Sequence, residues 1–252
     1  MTQPVRFSHL KAYGRSAMHG LHSRTVESEA NYAMQRGTAV HALIFGNRVV
    51  CGYPGPVRRG KEYDRFVAER PDCEILTASE FDKARRMADA VLSSKIAAPY
   101  IRGITETTIL FRWNGLDCRA TPDIRGEDFL TELKCSSTSD PERFQYQAIR
   151  MAYHAQMRMQ QLACHSAIDE LDCHVVCVED AEPHPVTVFR FTDRALEMGE
   201  RNLILWSERL KQCEESNYYP SYAECVMPLD VPEDDAGFEF NDDPVTETID
   251  AN

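Results

Sequence analysis

The stretch TPDIRGEDFLTELK, residues 121–134, sets Asp123 directly after Pro122 and places Glu132 and Lys134 on either side of Leu133. FLTELKC (129–135) reads as a strand, in which successive side chains alternate faces. Glu132 and Lys134 therefore share one side, and Leu133 enters the opposite layer. Asp123 falls at the end of the preceding strand. If the two strands pair, it reaches the same edge, and two carboxylates converge in the oxygen-rich setting that a hard divalent ion prefers. Mg2+ is the expected occupant, with Mn2+ as a substitute. A lysine beside such an ion can hold an attacking water or help to deprotonate it, and can offset charge developing on a phosphate. The chemistry these residues suggest is phosphodiester hydrolysis. Taken alone, a Glu and a Lys two apart are also ordinary on a half-exposed strand, so the elements around them carry the weight.

Ser8 is the expected cap of a brief helix to about Arg15, and residues 27–46 read as a longer helix with Val40, Leu43 and Ile44 on one apolar stripe beside His41. Residues 51–72, with GYPGPVRRGK, read as a loop. TASE (77–80) fits a capping box that opens a helix to about Ser94. ITETTILFRW (104–113), the turn Asn114-Gly115 and LDCRATPD (116–123) form an expected hairpin, and FLTELKC follows as a third strand. Asp140 before Pro141 starts a helix to about Cys164. CHVVCV (173–178) and PVTVFRF (185–191) are two more strands, and Thr192 caps a last helix to about Glu215. This order predicts an α/β fold, a mixed central β-sheet flanked by helices.

The pattern of Pro122-Asp123, eight residues, Glu132-Leu133-Lys134 and then a polar helix resembles the PD-(D/E)xK nuclease superfamily, with Glu as the second acid. The resemblance runs over roughly residues 7–215 and is nearest to the RecE (exonuclease VIII) and lambda exonuclease branch. It implies a restriction-endonuclease-like core. GTAVHALIFG (37–46) resembles the segment that donates a histidine metal ligand in the RecB-like and RecE-like branches, which puts that role on His41. Glu106 lies in the strand before Asp123, as does an acid that assists metal binding in some of these exonucleases; an exposed strand glutamate is the equal alternative. AIRMAYHAQMRMQQLAC (148–164) resembles the family's tyrosine and glutamine helix. On it Tyr153 and Gln156 share a face, with Arg150 one step further along, and they are expected to touch the scissile phosphate or its water. Met151, Met157 and Met159 read as packing residues. The implied metal-binding set is His41, Asp123, Glu132, Glu106 and Leu133, with Lys134 positioning the nucleophilic water.

The implied activity is a Mg2+-dependent exodeoxyribonuclease. It would degrade the 5′-ended strand from duplex ends, leaving 3′ overhangs for a single-strand annealing protein in phage-type recombination, and would assemble as a ring-like homo-oligomer. Two other readings stay open: a non-catalytic DNA-binding or partner-docking module of the same fold, and an endonuclease. Related nucleases that hold an iron-sulfur cluster use a cysteine upstream of the histidine. Here none precedes Cys51, and no cluster is expected. Cys173 and His174 would face opposite ways on a strand, which disfavours zinc.

Composition is compatible with a polyanionic partner once the charge is located. The net charge is −12, but nine acids and no Lys or Arg fall in residues 230–252. Residues 1–229 then hold 31 acids against 28 bases, net −3, and residues 1–70 hold eleven bases against five acids, net +6. The expected organisation is a nuclease domain over 1–229 and an acidic, disordered tail over 230–252. Nine cysteines without a C-x-x-C pair and without a signal-peptide pattern fit reduced thiols in a cytoplasm. No run approaches the roughly 18 apolar residues that span a bilayer, so no membrane partner is expected.

Overall fold

The computed structural model describes residues 3–26, 32–164 and 171–229. The acidic tail from Asp230 and the expected helix start at 27–31 lie outside the described residues. The chain opens with α1 (Phe7–Arg15) and α2 (Ala17–Thr25). Arg6 rather than Ser8 is the N-cap of α1. Ser16 separates the two helices, and its hydroxyl accepts the His19 N–H at 3.2 Å, so a second helix stands where none was expected. Helix α3 (Tyr32–Phe45) ends at Gly46, whose φ of +64° is the left-handed stop that glycine takes without strain.

The segment expected to be a loop is ordered. The end of β1 (Val49–Tyr53) and α4 (Lys61–Ala68) lie within it and β2 (Cys73–Thr77) follows it directly, with Tyr53 packed edge-on against Tyr63 and Phe66 of α4. Residues 54–60 and 69–72 remain outside helix and strand, as expected. Thr77 then caps α5 (Ala78–Ser93) by accepting the Glu80 N–H at 3.2 Å, as the TASE motif predicts.

The expected strand over 104–113 divides into β3 (Ile104–Thr105) and β4 (Ile109–Trp113), because Glu106 between them adopts φ +45°. Its partner divides too, into β5 (Leu116–Ala120) and β6 (Ile124–Arg125). β4 and β5 form the hairpin around Asn114-Gly115, apart from the central sheet. β7 (Phe129–Ser136) follows. α6 (Pro141–Arg150) and α7 (Tyr153–Cys164) replace the single expected helix, interrupted by Ala152 at φ +58°. β8 (Asp172–Glu179), β9 (Val186–Arg190) and α8 (Asp193–Ser216) complete the chain, α8 capped by Thr192.

The central sheet has the order β3-β6-β7-β8-β9, with β7 and β8 parallel and the other neighbours antiparallel. It is the mixed, helix-flanked α/β sheet that the sequence predicts. β8 is covered on both faces, which explains its continuous apolar run. On one face Leu133, Val176 and Val178 pack against Ala39 and Val40 of α3 and Ala84, Met87 and Val91 of α5. On the other, Leu130 and Cys173 meet Met157 of α7 and Leu196 of α8, while Val175 and Cys177 meet Phe144 and Ala148 of α6. Leu10 and Tyr13 of α1 extend this layer over α7 and α8. Each fully buried aliphatic contributes about 1.5–3 kcal/mol, so the sheet edge that carries the polar residues rests on a rigid floor. α7 is held close to α8 at Gly199, where a Cβ would come within 2.5 Å of the His154 carbonyl oxygen.

Candidate active site

β6 pairs with β7 only through Arg125 with Leu130 and Ile124 with Thr131. Beyond Thr131 that edge of β7 has no strand beside it, and its backbone groups are met by side chains instead. The Leu133 N–H donates to Asp123 Oδ2 at 2.8 Å, and the Leu133 carbonyl lies 3.1 Å from His41 Nε2. Asp123 stands one residue before β6, where the chain passes from the β4–β5 hairpin to the central sheet, and not inside a strand as expected. Its Oδ1 is 3.7 Å from His41 Nδ1. Arg36, more than one turn before His41, ties α3 to Glu80 of α5 and to Asp180, at 3.1 and 3.0 Å, and so fixes the helix that presents the imidazole. Glu106 also reaches this edge: its N–H donates to the Asp123 carbonyl at 3.1 Å, and its carboxylate accepts the Asn47 side-chain amide. Left-handed backbone costs a non-glycine residue about 1–2 kcal/mol, so the placement of Glu106 is held by its surroundings.

Glu132 and Lys134 lie on the α7 side of the sheet, opposite Leu133, as strand alternation requires. Lys134 Nζ donates to Glu132 Oε1 at 2.7 Å and to Gln156 Oε1 at 3.2 Å, and sits 4.7 Å from the centre of the Tyr153 ring. Gln156 Nε2 donates to Glu132 Oε1 at 2.5 Å and Gln160 Nε2 to Glu132 Oε2 at 2.7 Å. Tyr153, Gln156 and Gln160 thus form one face of α7. Arg150 does not share it. The break at Ala152 leaves Arg150 exposed at the end of α6, so the face expected to run from Arg150 to Gln156 begins at Tyr153. Gln160 is absent from the expected set, although its spacing of four from Gln156 and seven from Tyr153 marks the same face.

The electrostatics follow from burial. Glu132 is 5% exposed. Desolvation acts to raise its pKa, but the Lys134 ammonium and the hydrogen bonds from Gln160 and Lys134 outweigh it and hold the carboxyl below its usual range. Lys134 shows the reciprocal balance: burial acts to lower it, and Glu132 and Asp123 carry it above the ordinary lysine value. Asp123 is pushed well above the carboxylate range by burial and by repulsion from Glu132, which Lys134 and the Leu133 N–H only partly offset. Burial keeps His41 low, hence a neutral imidazole, the form that ligates metals. Two buried carboxylates share one ammonium, so ionising Asp123 would leave one negative charge without a partner.

That surplus charge and the donor types fit a hard divalent cation. Carboxylate, carbonyl and neutral imidazole adjoin at Asp123, Leu133 and His41; a leucine offers only its carbonyl oxygen. Two adjacent ligands of an octahedral ion at about 2.1 Å lie about 3 Å apart, and the His41–Leu133 separation of 3.1 Å matches this. Among the described residues, no group of three or more His, Cys, Asp and Glu side chains is already gathered to hold a metal. The reason is visible: both Glu132 oxygens are turned to α7 and Lys134, and Glu106 is tied to Asn47. With these contacts in place, the full set of His41, Asp123, Glu132 and Glu106 does not surround one point. His41, Glu106, Leu133 and Lys134 line a cleft of about 650 Å³, together with Gly37, Arg48 and Tyr153. All nine cysteines are free thiols, and no described helix is long and apolar enough to cross a membrane.

A family model described as a PDDEXK-like domain of unknown function (DUF3799) matches residues 6–228. No curated protein matches the chain. Among solved structures, it is similar to a protein of Eubacterium rectale provisionally described as an exonuclease, with a TM-score of 0.67 at 13% identity over 92% of this chain and 91% of the other. The alkaline exonuclease LHK-Exo of Laribacter hongkongensis aligns over 85% of this chain and 91% of its own, with a TM-score of 0.40 at 17% identity. At 13% identity the likeness to the E. rectale protein is one of fold.

Proposed function

We propose that this chain, which belongs to the PDDEXK-like family DUF3799, is a divalent-metal-dependent nuclease that hydrolyses DNA phosphodiester bonds from duplex ends. The observation that carries the reading is the gathering of Asp123, His41 and the Leu133 carbonyl on the unpaired edge of β7, next to the Glu132–Lys134 pair, with His41, Leu133 and Lys134 at the wall of one cleft. Asp123, Glu132, His41 and the Leu133 carbonyl would hold Mg2+ or Mn2+, which supplies Lewis-acid activation of water and neutralisation of phosphate charge when bound.

The protein's own groups do the rest. Lys134 is an ammonium, already donating to two acceptors and lying over the Tyr153 ring. It therefore acts as a hydrogen-bond donor that positions the attacking water and offsets charge growing on the phosphate oxygens, in preference to taking the water's proton. Gln156 holds Lys134 and Glu132 in register, and Gln160 fixes the other Glu132 oxygen. The shared fold with the E. rectale protein favours an exonuclease. The 5′-to-3′ polarity, the 3′ overhangs passed to an annealing protein and a ring-like oligomer rest on the RecE-like resemblance. Linear and circular duplexes with each strand end-labelled, incubated in Mg2+ and in EDTA, test the mode of action. Loss of the 5′ label from linear DNA in Mg2+ supports the proposal. Nicking of circles makes the protein an endonuclease, and binding without cleavage makes it a DNA-binding module.

A further inference from the structure

The cleft is lined by two permanent cations, Lys134 at the β7 strand and Arg48. Arg48 follows the left-handed Gly46 that ends α3, and its neighbour Asn47 is anchored through its side-chain amide to Glu106. The rim residue is thus braced against the same corner that presents Asp123, and its guanidinium is exposed. Arg24, Arg36, Arg158 and Arg190 each hold a carboxylate at 3.1 Å or less. Arg48 makes no ion pair or side-chain hydrogen bond among the described residues. One turn before His41 the α3 wall of the cleft is low: at Gly37 a Cβ would meet nothing within 4 Å, so a backbone can approach closely.

A polyanion entering this cleft passes Glu106 in its lining, with the buried Glu132 next to Lys134, and needs cations on its path. We infer that Arg48 is a phosphate-binding residue of the nuclease, gripping the linkage next to the scissile one and so fixing which bond lies at Lys134. The inference rests on the nuclease reading. The planar guanidinium fork suits a phosphate better than an ammonium does, which separates its role from that of Lys134. Part of the positive balance of residues 1–70 is thereby placed at the site.

The test measures cleavage of an end-labelled linear duplex by wild-type, Arg48→Ala and Arg48→Lys proteins across a NaCl series. Arg48→Ala should raise KM about five- to twentyfold with kcat within twofold, and should flatten the dependence of log KM on log salt by about 0.7–0.9, the share of one phosphate contact. Arg48→Lys should restore the salt slope but not the full KM. In wild-type protein, methylphosphonate substitution of single linkages should find one neighbour of the scissile bond whose neutralisation costs a similar factor, and Arg48→Ala should abolish that sensitivity. Arg48→Ala protein with wild-type KM and salt slope overturns the inference alone. Wild-type protein that neither binds nor cuts DNA overturns the nuclease reading, and the inference with it.

Discussion

Replacing Asp123 by asparagine should stabilise the metal-free protein while destroying its response to metal. Asparagine keeps the shape and still offers an oxygen to the Leu133 N–H, the 2.8 Å bond that holds the residue against β7. What it removes is a carboxylate driven well above its ordinary pKa by burial and by Glu132. Repulsion between two like charges in such a partly buried site, at an effective dielectric of about 20, is on the order of 2 kcal/mol. Lys134 cancels part of this, so Asp123→Asn should gain about 1 kcal/mol, or about 2–4 °C in Tm for a domain of this size. Saturating Mg2+ reverses the ranking: at a hundred times Kd the wild-type protein gains about 2.7 kcal/mol, and the variant far less. Thermal melts of both proteins in EDTA and in a Mg2+ series measure both effects. An Asp123→Asn protein less stable than wild type in EDTA, or equally stabilised by Mg2+, refutes the assignment of surplus charge to this carboxylate.

Lys134→Ala should lower turnover by at least about a hundredfold and cost about 3 kcal/mol at neutral pH, since it strands Glu132 and Asp123 without their cation; single-turnover cleavage and urea unfolding read the two effects separately. His41→Ala should raise the Mg2+ concentration for half-maximal cleavage, with recovery in Mn2+; an unchanged metal titration returns His41 to a packing role. Gln160→Ala should reduce kcat about tenfold with KM nearly constant, because it frees Glu132 Oε2 without touching substrate, and Gln160→Glu should be worse than Gln160→Ala by placing an anion against Glu132. His9, 4% exposed, is pushed down to about 4 by burial, with Arg6, Arg24 and Arg119 adding to the effect. The unfolded chain therefore takes this proton first, and stability falls as pH drops from about 6.5 towards about 4, by up to about 3 kcal/mol. His9→Gln should flatten the urea midpoint against pH over that window, and an unaltered slope would place the acid sensitivity elsewhere.

The strands and helices were legible where local signals are strong: β-branched runs in the central sheet, the Asn-Gly turn of the separate β4–β5 hairpin, and Asp140-Pro141 and Thr192 as helix starts. The shared face of Glu132 and Lys134, opposite Leu133, followed from alternation, while their roles at a site rested on the family resemblance. What escaped is set by tertiary contact. β1 and β2 are five residues each, and only their mutual pairing and the covering α4 and α5 make them strands. The breaks at Glu106 and Ala152 occur at residues with no turn propensity, where left-handed backbone is imposed by packing, and they move Arg150 off the site and Glu106 onto it. Gln160 lay on the right helical face, yet its value depends on Glu132 facing α7, which is a property of the assembled sheet. The same contact makes Glu132→Gln a better probe than Glu132→Ala, which would leave Lys134, Gln156 and Gln160 without their common acceptor.

Cleavage of one linear duplex by wild-type and Glu132→Gln proteins, each in Mg2+ and in EDTA, tests the central claim that these residues form a metal-dependent nuclease centre. Such a centre gives product only with wild-type protein in Mg2+, both proteins being equally folded by circular dichroism. Cleavage by folded Glu132→Gln protein, or by wild-type protein in EDTA, would contradict it.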